Sequence, residues 1–168
     1  MKILQVVGYK NCGKTTRIEK WIQFLLARGL RVSVIKHHGH GGPLSMPSAD
    51  TDSMKFLSQG AVSSIAVGGG LVQMHMEGGP ELPELIKLAA LAKPDIIFVE
   101  GFKEALEPKV VIVRTKEEWD GLQKASNIVL VLAYKDANIE RDEDITVLGN
   151  QDEACIDEWM LDYLEGER

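Results

Sequence analysis

The sequence predicts an α/β fold in which a mostly parallel sheet is flanked by helices on both faces, with one β-hairpin as an excursion. Three observations support this fold. The chain begins with an apolar strand, a glycine-rich turn, an amphipathic helix and a second strand. Short apolar runs bounded by glycine or proline then alternate with helical patterns. The length of 168 residues suits one domain, so we expect a single domain over residues 1–168.

The composition is that of an ordinary folded protein, with 45% hydrophobic and 26% charged residues. The 25 acidic and 19 basic residues give a net charge of −6, which disfavours a non-specific nucleic-acid binder. No apolar run approaches the ~18 residues that span a bilayer, and the first residues lack a signal-peptide pattern. The two cysteines, Cys12 and Cys155, lie too far apart to suggest a disulfide framework or a metal knuckle. We therefore expect a cytoplasmic protein with no nucleic-acid or membrane partner.

The first βαβ unit is defined by its apolar pattern and its glycines. The apolar run Ile3–Val7, closed by Gly8, is typical of a buried parallel strand. A helix is expected from about Lys14, because apolar residues then recur at spacings of three and four. Gly29 fits the C-terminal cap of this helix, and residues 31–36 are the next strand.

The later elements follow from local patterns and from the residues that interrupt them. Residues 37–49 are rich in glycine and lack periodicity, so we expect a loop. Two apolar segments flank three glycines, which predicts a β-hairpin over residues 61–77. Further helices are predicted over 50–59, 81–92 and 153–164, and further strands over 96–99, 110–113, 128–133 and 145–148.

Residues 8–15, GYKNCGKT, match the phosphate-binding pattern G-x-x-x-x-G-K-[ST] at every fixed position. The match follows an apolar strand and opens a helix, so the expected fold is P-loop NTPase-like rather than a glycine-rich turn with a surface lysine. Backbone N–H groups and the helix N-terminus would surround the phosphates. Lys14 would reach the β/γ oxygens, and the Thr15 hydroxyl would bind Mg²⁺. The predicted phosphate-binding residues are Gly8, Asn11, Cys12, Gly13, Lys14, Thr15 and Thr16.

Two acidic positions could complete the magnesium site. Glu100 follows the strongest apolar strand, where parallel sheets place their ligands, and it could hold the Mg²⁺ shell or act catalytically by activating a water. The alternative is a solvated residue just past a strand. Asp50 opens the helix after the glycine-rich loop, so it could be a helix cap or a further Mg²⁺ contact. Whether Asp50 or Asp52 approaches the metal stays open.

Three imidazoles lie close together at a strand end, in His37, His38 and His40. Such a cluster could bind Zn²⁺ or Ni²⁺, but residues this close rarely converge on one metal without distant partners. A partner or substrate site for an anionic group, which would include Lys103, is one alternative, and an inert loop is another.

The motif for the nucleotide base is weak. No N-K-x-D occurs in the chain, but Tyr134, Lys135 and Asp136 follow a predicted strand where such a motif would lie. Asp136 could accept hydrogen bonds from guanine, which would make it a base-binding residue. These residues do not decide between GTP and ATP.

Together, GYKNCGKTT, KHHGH, DTDSMKFLSQGA and DIIFVEGFK resemble the MobB family of molybdopterin-guanine dinucleotide biosynthesis adaptors, over nearly the whole chain. The resemblance departs at residues 59–61, which are QGA where AGA is commoner. It implies a GTP-binding, weakly hydrolysing homodimer that assists the molybdopterin guanylyltransferase, with molybdopterin as a further candidate partner. It also implies that the hairpin pairs across the dimer. This agrees with an apolar ribbon that one small domain can hardly cover, made of Ile65, Val67, Val72, Met74 and Met76.

Two other functions fit the same phosphate loop. A small-molecule kinase would need an arginine-rich lid, whereas the arginines after the hairpin, Arg114, Arg141 and Arg168, are scattered. A metal-insertion GTPase would use the histidine cluster, but it would need further Cys or His ligands. The three functions remain alternatives at the level of sequence.

Overall fold

The computed structural model describes residues 1–38, 42, 44–137, 139 and 145–166. The strands are β1 (Lys2–Gly8), β2 (Val32–Lys36), β3 (Ser63–Gly68), β4 (Leu71–Met76), β5 (Ile96–Glu100), β6 (Lys109–Val113), β7 (Ile128–Ala133) and β8 (Thr146–Gly149). The helices are α1 (Lys14–Leu26), α2 (Asp52–Ser58), α3 (Leu82–Ala90), α4 (Lys116–Leu122) and α5 (Glu153–Glu165), with a short 3₁₀ turn at Lys135–Ala137.

The chain divides into two compact units. The first, made of Met1–Gly39 and Leu82–Arg168, contains a six-stranded sheet in the order β2-β5-β1-β6-β7-β8. Every strand pair in this sheet is parallel, with β1 in register between β5 and β6. The second unit, His40–Glu81, contains α2 and the β3-β4 hairpin. The predicted α/β fold is therefore confirmed, while the prediction that residues 1–168 act as one domain stays a prediction.

Helices cover both faces of the parallel sheet. The side chains of each strand alternate between two apolar layers, since consecutive residues of a strand point to opposite faces. One layer packs against α1 and α5, where the Trp21 ring stacks on Phe98 of β5 with 5.5 Å between the ring centroids. The opposite layer receives Leu82 of α3 and Leu122 of α4. Helices on both faces leave only the ends and edges of the sheet open, so ligands must approach there.

Arg17 links α1 to the start of α5. Its side chain is 3% exposed, and its guanidinium donates to both carboxylate oxygens of Glu153, at 2.6 and 3.1 Å. It also donates to the carbonyl oxygen of Asn150 at 2.8 Å, and Lys20 adds a second cation to Glu153. A buried charge is costly unless it is paired, and here the two-oxygen contact offsets that cost. The helix after the phosphate loop is thereby joined to the loop after β8.

The second unit carries an antiparallel hairpin whose turn is Gly69-Gly70. Both glycines have positive φ, of 55° and 77°, which suits the tight turn that joins twisted strands. The pairs Ile65↔Met74 and Val67↔Val72 lie on one face of the hairpin. All of these side chains are at least 40% exposed. The predicted apolar ribbon is thus present, with little of its surface covered by this chain.

One helix, α4, was not predicted. It has few apolar side chains, and only Leu122 is buried, so its hydrophobic periodicity is weak. The signal that could have predicted it is the T-x-x-E pattern of Thr115–Glu118, which is the sequence of a capping box. The Thr115 side chain caps the Glu118 N–H, and the Glu118 carboxylate accepts from the N–H of Arg114. No helix in the described part of the chain combines the length and apolar character needed to cross a membrane.

The Arg17–Glu153 contact predicts a pH-dependent stability. The hydrogen bond from Arg17 lowers the pKa of Glu153 in the folded protein, so the ionised carboxylate stabilises the fold above the ordinary glutamate pKa of about 4.3. This contribution is lost as the pH falls through the lowered pKa. We expect Glu153→Gln to be less stable than the wild type at neutral pH, with a difference that shrinks on acidification. Urea unfolding between neutral and acidic pH measures this.

Glu158→Gln is the matched control, because Glu158 is an exposed glutamate of the same helix. Equal pH dependence of Glu153→Gln and the wild type would contradict the stabilising role of this contact.

Candidate functional site

The phosphate loop, residues 8–15, is tightly packed where β1 ends. A Cβ added to Gly8 would lie 2.4 Å from the Cys12 Sγ atom and 2.7 Å from the carbonyl oxygen of Ile112. Gly13 is the N-cap of α1 and has φ of 96°, a left-handed conformation that favours glycine. Because glycine has no capping side chain, the first N–H groups of α1 are left for a ligand. The loop therefore has the backbone geometry that suits an anion.

Lys14 folds back over this loop. Its ammonium donates to the carbonyl oxygens of Gly8 at 3.1 Å and Tyr9 at 2.7 Å, and it lies 3.8 Å from the Cys12 sulfur. Burial raises the pKa of the Cys12 thiol although Lys14 opposes the shift, so the thiol stays neutral and the lysine charge is not cancelled. The structure thus places a cation at the loop, within reach of any phosphate bound there.

Thr15, Glu100 and Lys36 converge beside the loop. The Thr15 hydroxyl lies 3.0 Å from each carboxylate oxygen of Glu100. The Lys36 ammonium donates to the Thr15 Oγ1 atom at 3.2 Å and pairs with the Glu100 Oε2 atom at 3.2 Å. Glu100 is buried, at 8% exposure, so solvent screens its charge only weakly. Thr15 and Glu100 were predicted to share a site, whereas Lys36 was missed.

The donor set at Thr15 and Glu100 fits a magnesium ion. Mg²⁺ prefers oxygen ligands and is usually held by one or two protein groups plus substrate phosphates. A hydroxyl and a buried carboxylate face each other here, and a lysine cation already balances their charge. These two residues would hold the metal next to the phosphate loop.

The segment after Glu100 begins with Gly101 and contacts both His37 and the phosphate loop. The ring of Phe102 contacts His37 with 4.8 Å between ring centroids, and a Cβ on Gly101 would lie 3.0 Å from the His37 Cβ. The Lys103 ammonium lies 4.6 Å from the centre of the Tyr9 ring, in a cation–π contact. Lys103 thus lies against the phosphate loop and His37 against the segment after Glu100, but their predicted role towards a partner or substrate stays a prediction.

Two buried polar side chains, Gln5 and Lys109, donate hydrogen bonds to the backbone of this segment. Gln5 of β1 donates to the carbonyl oxygens of Gly101 and Phe102, at 2.5 Å for the first. The buried Lys109 ammonium donates to the carbonyl oxygens of Ala105 and Glu107, and burial lowers the pKa of Lys109. Each donor satisfies carbonyl groups that no strand partner takes, so the backbone after Glu100 is fixed without regular structure.

Arg114 lies at the same edge of the sheet and was not predicted as a site residue. It follows β6, and its guanidinium donates to the Glu118 carboxylate at 2.7 Å and to the carbonyl oxygen of Asn11 at 3.5 Å. Burial alone would raise the pKa of Glu118, but the hydrogen bonds from Arg114 outweigh it and leave the pKa below its ordinary value. A cation held by an ionised glutamate therefore borders the phosphate loop.

A cavity of about 410 Å³ opens where β7 and β8 end. It is lined by Ala133, Tyr134, Lys135, Gly149, Asn150, Gln151 and Asp152. The Tyr134 hydroxyl also lies within 3.2 Å of where a Gly13 Cβ would be, so the cavity borders the phosphate loop. Its volume lies within the range of small-molecule pockets, and lysine, amide and carboxylate groups supply polar contacts.

The remaining predicted residues are distributed as follows. Asn11 adopts φ of 60° in the phosphate loop, and Thr16 is exposed in the first turn of α1. Asp136 is in the 3₁₀ turn after β7 and is not among the residues that line the cavity, whereas Asp152, missed from the sequence, is. Asp50 belongs to the second unit, so its approach to a metal stays a prediction.

Two of the three clustered histidines are among the described residues. His37 and His38 are exposed at the end of β2, and His40 lies outside the described residues. Within the part of the chain that the structure describes, no three His, Cys, Asp or Glu side chains come together to hold a metal ion.

Comparison with known proteins gives one consistent family. A family model described as "Molybdopterin guanine dinucleotide synthesis protein B" (MobB) matches residues 3–135. The "Probable molybdopterin-guanine dinucleotide biosynthesis adapter protein" of Bacillus subtilis (strain 168) is 34% identical over 165 residues, covering 98% of this chain and 94% of the relative. The corresponding adapter protein of Haemophilus influenzae is 33% identical over 137 residues, covering 78% and 73%.

A solved structure is similar over the same extent. The crystal structure of Bacillus subtilis MobB superimposes with a TM-score of 0.84 at 32% sequence identity, and the match covers 99% of this chain and 100% of that one.

The contacts of Gly8 predict that even one methyl group is not tolerated there. Gly8→Ala would force the Cβ against backbone atoms of β6, which cannot move without disturbing the sheet. We expect the free energy of unfolding to fall by about 1–3 kcal/mol, as for overpacked cores. Chemical denaturation measures the change.

Gly68→Ala is the control, because no heavy atom lies within 4 Å of its Cβ position. If both variants had wild-type stability, the tight packing of the phosphate loop would be refuted.

Proposed function

The chain belongs to the molybdopterin guanine dinucleotide synthesis protein B (MobB) family, as its motifs suggested, and from this premise we propose that it acts in that biosynthesis as an adapter that binds GTP and Mg²⁺. Its curated relatives are named as adapters of molybdopterin-guanine dinucleotide biosynthesis. The observation that carries the proposal is the phosphate loop with Thr15 and Glu100 facing each other beside it. The guanylyltransferase of this biosynthesis is the proposed partner, with molybdopterin itself as a second candidate.

Each group of the site has a distinct part in holding the nucleotide. The N–H groups at the start of α1 would bind the β-phosphate, and Lys14 would leave the carbonyl oxygens of Gly8 and Tyr9 to meet the phosphate oxygens. Thr15 and Glu100 would hold the magnesium ion, which when bound supplies positive charge to the phosphates. An ion pair between the Lys14 ammonium and a phosphate oxygen is stronger than its present hydrogen bonds to neutral carbonyls, so phosphate binding would draw it out.

The cavity at the ends of β7 and β8 supports a site for the base. Since Tyr134 reaches both the cavity and Gly13, a nucleotide with its phosphates in the loop could place its base there. Asp152 is among the residues that line this cavity, and its carboxylate also caps α5 by accepting from the Cys155 N–H, while Asp136 follows β7. A carboxylate can accept hydrogen bonds from the N1 and N2 groups of guanine, whereas adenine offers no such pair. Guanine is therefore the base that we propose.

The other two functions considered from the sequence are disfavoured. The family and its curated relatives are named for dinucleotide biosynthesis, not for phosphorylation of small molecules or metal insertion.

Dinucleotide formation by the guanylyltransferase tests the adapter role. Product is measured under limiting GTP with the wild-type protein, with Lys14→Ala and with no added protein. We expect the wild type to raise the yield above the other two. Equal product in all three would contradict the proposed function, and screening for small-molecule kinase activity would follow.

Loss of the Lys14 ammonium predicts weaker GTP binding. A charge-assisted contact contributes roughly 1.5–3 kcal/mol, so Lys14→Ala should lower GTP affinity about 10- to 150-fold. Titration with a fluorescent GTP analogue, in competition with GTP and with ATP, measures this and tests base preference. Lys10→Ala is the control, since Lys10 is an exposed lysine of the same loop. Undiminished affinity in a folded Lys14→Ala protein would show that Lys14 does not contact the phosphates.

Hydrolysis of GTP is expected to be slow, well below ~1 s⁻¹. Among the described residues, no arginine is evident that would stabilise the charge on the terminal phosphate in the transition state. Arg114 borders the loop but is held by Glu118. Glu100→Gln should reduce hydrolysis more than GTP affinity, because the carboxylate acts in the metal-bound, reacting state. Steady-state hydrolysis and equilibrium binding measure the two effects. With exposed Glu104→Gln as control, equal losses in binding and hydrolysis would refute this role for Glu100.

A homodimer formed through the hairpin is the second part of the proposal. It is supported by the exposed apolar face of β3 and β4, since such a face is usually covered by a partner. Light scattering should give about twice the chain mass of 18.6 kDa. Val72→Glu should shift the mass towards the monomer, whereas Gln73→Glu, on the opposite face of β4, should not. A wild-type protein of monomer mass at micromolar concentration would exclude this dimer.

A further inference from the structure

We propose that the Lys36 ammonium occupies the cation position of the nucleotide site when no metal ion is bound, and that Lys36 must withdraw before Thr15 and Glu100 can hold a divalent cation. The inference rests on the proposed function, because it concerns the same magnesium position. It adds a residue that the sequence analysis did not assign to the nucleotide site, and it gives that residue a role in coupling metal binding to nucleotide binding.

The contacts of Lys36 are those that a metal ion would make. Its ammonium lies 3.2 Å from the Thr15 Oγ1 atom and 3.2 Å from the Glu100 Oε2 atom. These two oxygens are the protein ligands that the site offers to magnesium. An ammonium and a divalent cation at these same oxygens would lie within a few ångströms of each other, where their like charges repel strongly. Lys36 and a metal ion therefore compete for one position.

The pairing of β2 with β5 places Lys36 beside Glu100. Lys36 and Glu100 are register partners in the parallel β2-β5 pair, so their side chains start from neighbouring positions at the same end of the sheet. Because Glu100 is buried, its charge needs a cation nearby in the metal-free protein. Lys36 supplies it with no help from a bound ion.

Lys36 is also free to leave. Its side chain is 53% exposed, and β2 is an edge strand that pairs only with β5 in the described sheet. A lysine has a flexible four-carbon stem, so its ammonium can move into solvent without a change in the backbone. Glu100, whose side chain is 10% exposed, cannot follow. The carboxylate stays in place while one cation replaces the other.

This exchange has a measurable consequence. Without a metal ion, Lys36 supplies positive charge at the site and supports nucleotide binding. With a metal ion present, the same charge opposes the ion. Removing the charge should therefore weaken metal-free nucleotide binding and strengthen metal-dependent binding. The ratio of the two affinities reports the competition, whereas general damage to the site would lower both and leave the ratio unchanged.

The experiment compares the affinity of N-methylanthraniloyl-GDP in buffer with magnesium and in buffer with EDTA. We expect Lys36→Gln to raise the ratio of the two affinities about three- to thirtyfold over the wild type, which is about 0.7–2 kcal/mol. Lys36→Arg keeps the charge and should keep the ratio near that of the wild type. Lys87→Gln, which removes an exposed charge on α3, controls for net charge. Thermal melting confirms that each variant is folded.

The failure of this inference and that of the proposed function are distinguishable. If the wild type binds the nucleotide but Lys36→Gln leaves the ratio unchanged or lowers it, Lys36 does not compete with the metal, and the proposed function stands. A raised ratio in Lys36→Arg as well would also overturn the inference, because the charge would not be the cause. If the wild type binds no guanine nucleotide in either buffer, both the proposed function and the inference are wrong.

Discussion

Parallel pairing of β2, β5 and β1 is the constraint on which the site depends. Because the three strands run in the same direction and in register, their carboxyl ends meet at one edge of the sheet. That edge receives Lys36 from β2, Glu100 from β5 and the phosphate loop from β1. None of these groups is near another in sequence. An antiparallel partner in place of β5 would send Glu100 to the opposite edge and separate it from Thr15.

The site edge is held rigid by polar groups that lie in or below the core. Gln5 and Lys109 take carbonyl oxygens of the segment after β5, and Arg17 ties α1 to Glu153 and Asn150. Burying such groups is costly, and their hydrogen bonds offset part of that cost, although Gln5 Oε1 and Arg17 Nε have no hydrogen-bond partner. The segment after β5 is thereby fixed to the sheet, and the cavity-lining residue Asn150 is fixed to α1. The same groups therefore serve folding and the positioning of ligands.

The two units differ in how much of their apolar surface is buried. In the first unit, helices cover both faces of the sheet and every residue of β5 and β6 is buried. In the second unit, a two-stranded hairpin presents valine, isoleucine and methionine side chains to solvent. A hairpin of this size is marginal by itself. This exposed apolar surface is the feature of the fold that supports the proposed dimer.

Much of this protein follows from local sequence. Gly8, Gly13 and Lys14 define the phosphate loop because its chemistry depends on neighbouring residues, and the apolar runs of β1 and β5 predict buried parallel strands. The family resemblance rested on the same local motifs. A capping box at Thr115 was the available but weaker signal for α4.

Tertiary structure decided which side chains lie next to each other at the ends of the strands. The strand order is not written in any local pattern, so the contacts of Lys36 with Glu100, of Arg114 with the phosphate loop and of Asp152 with the cavity had no sequence signal. The order arises from long-range packing, in which the strands that are apolar on both faces, such as β5 and β6, take inner positions that helices cover on both sides. A charged residue at the end of a strand is ordinary in sequence, and only its neighbours in space give it a function.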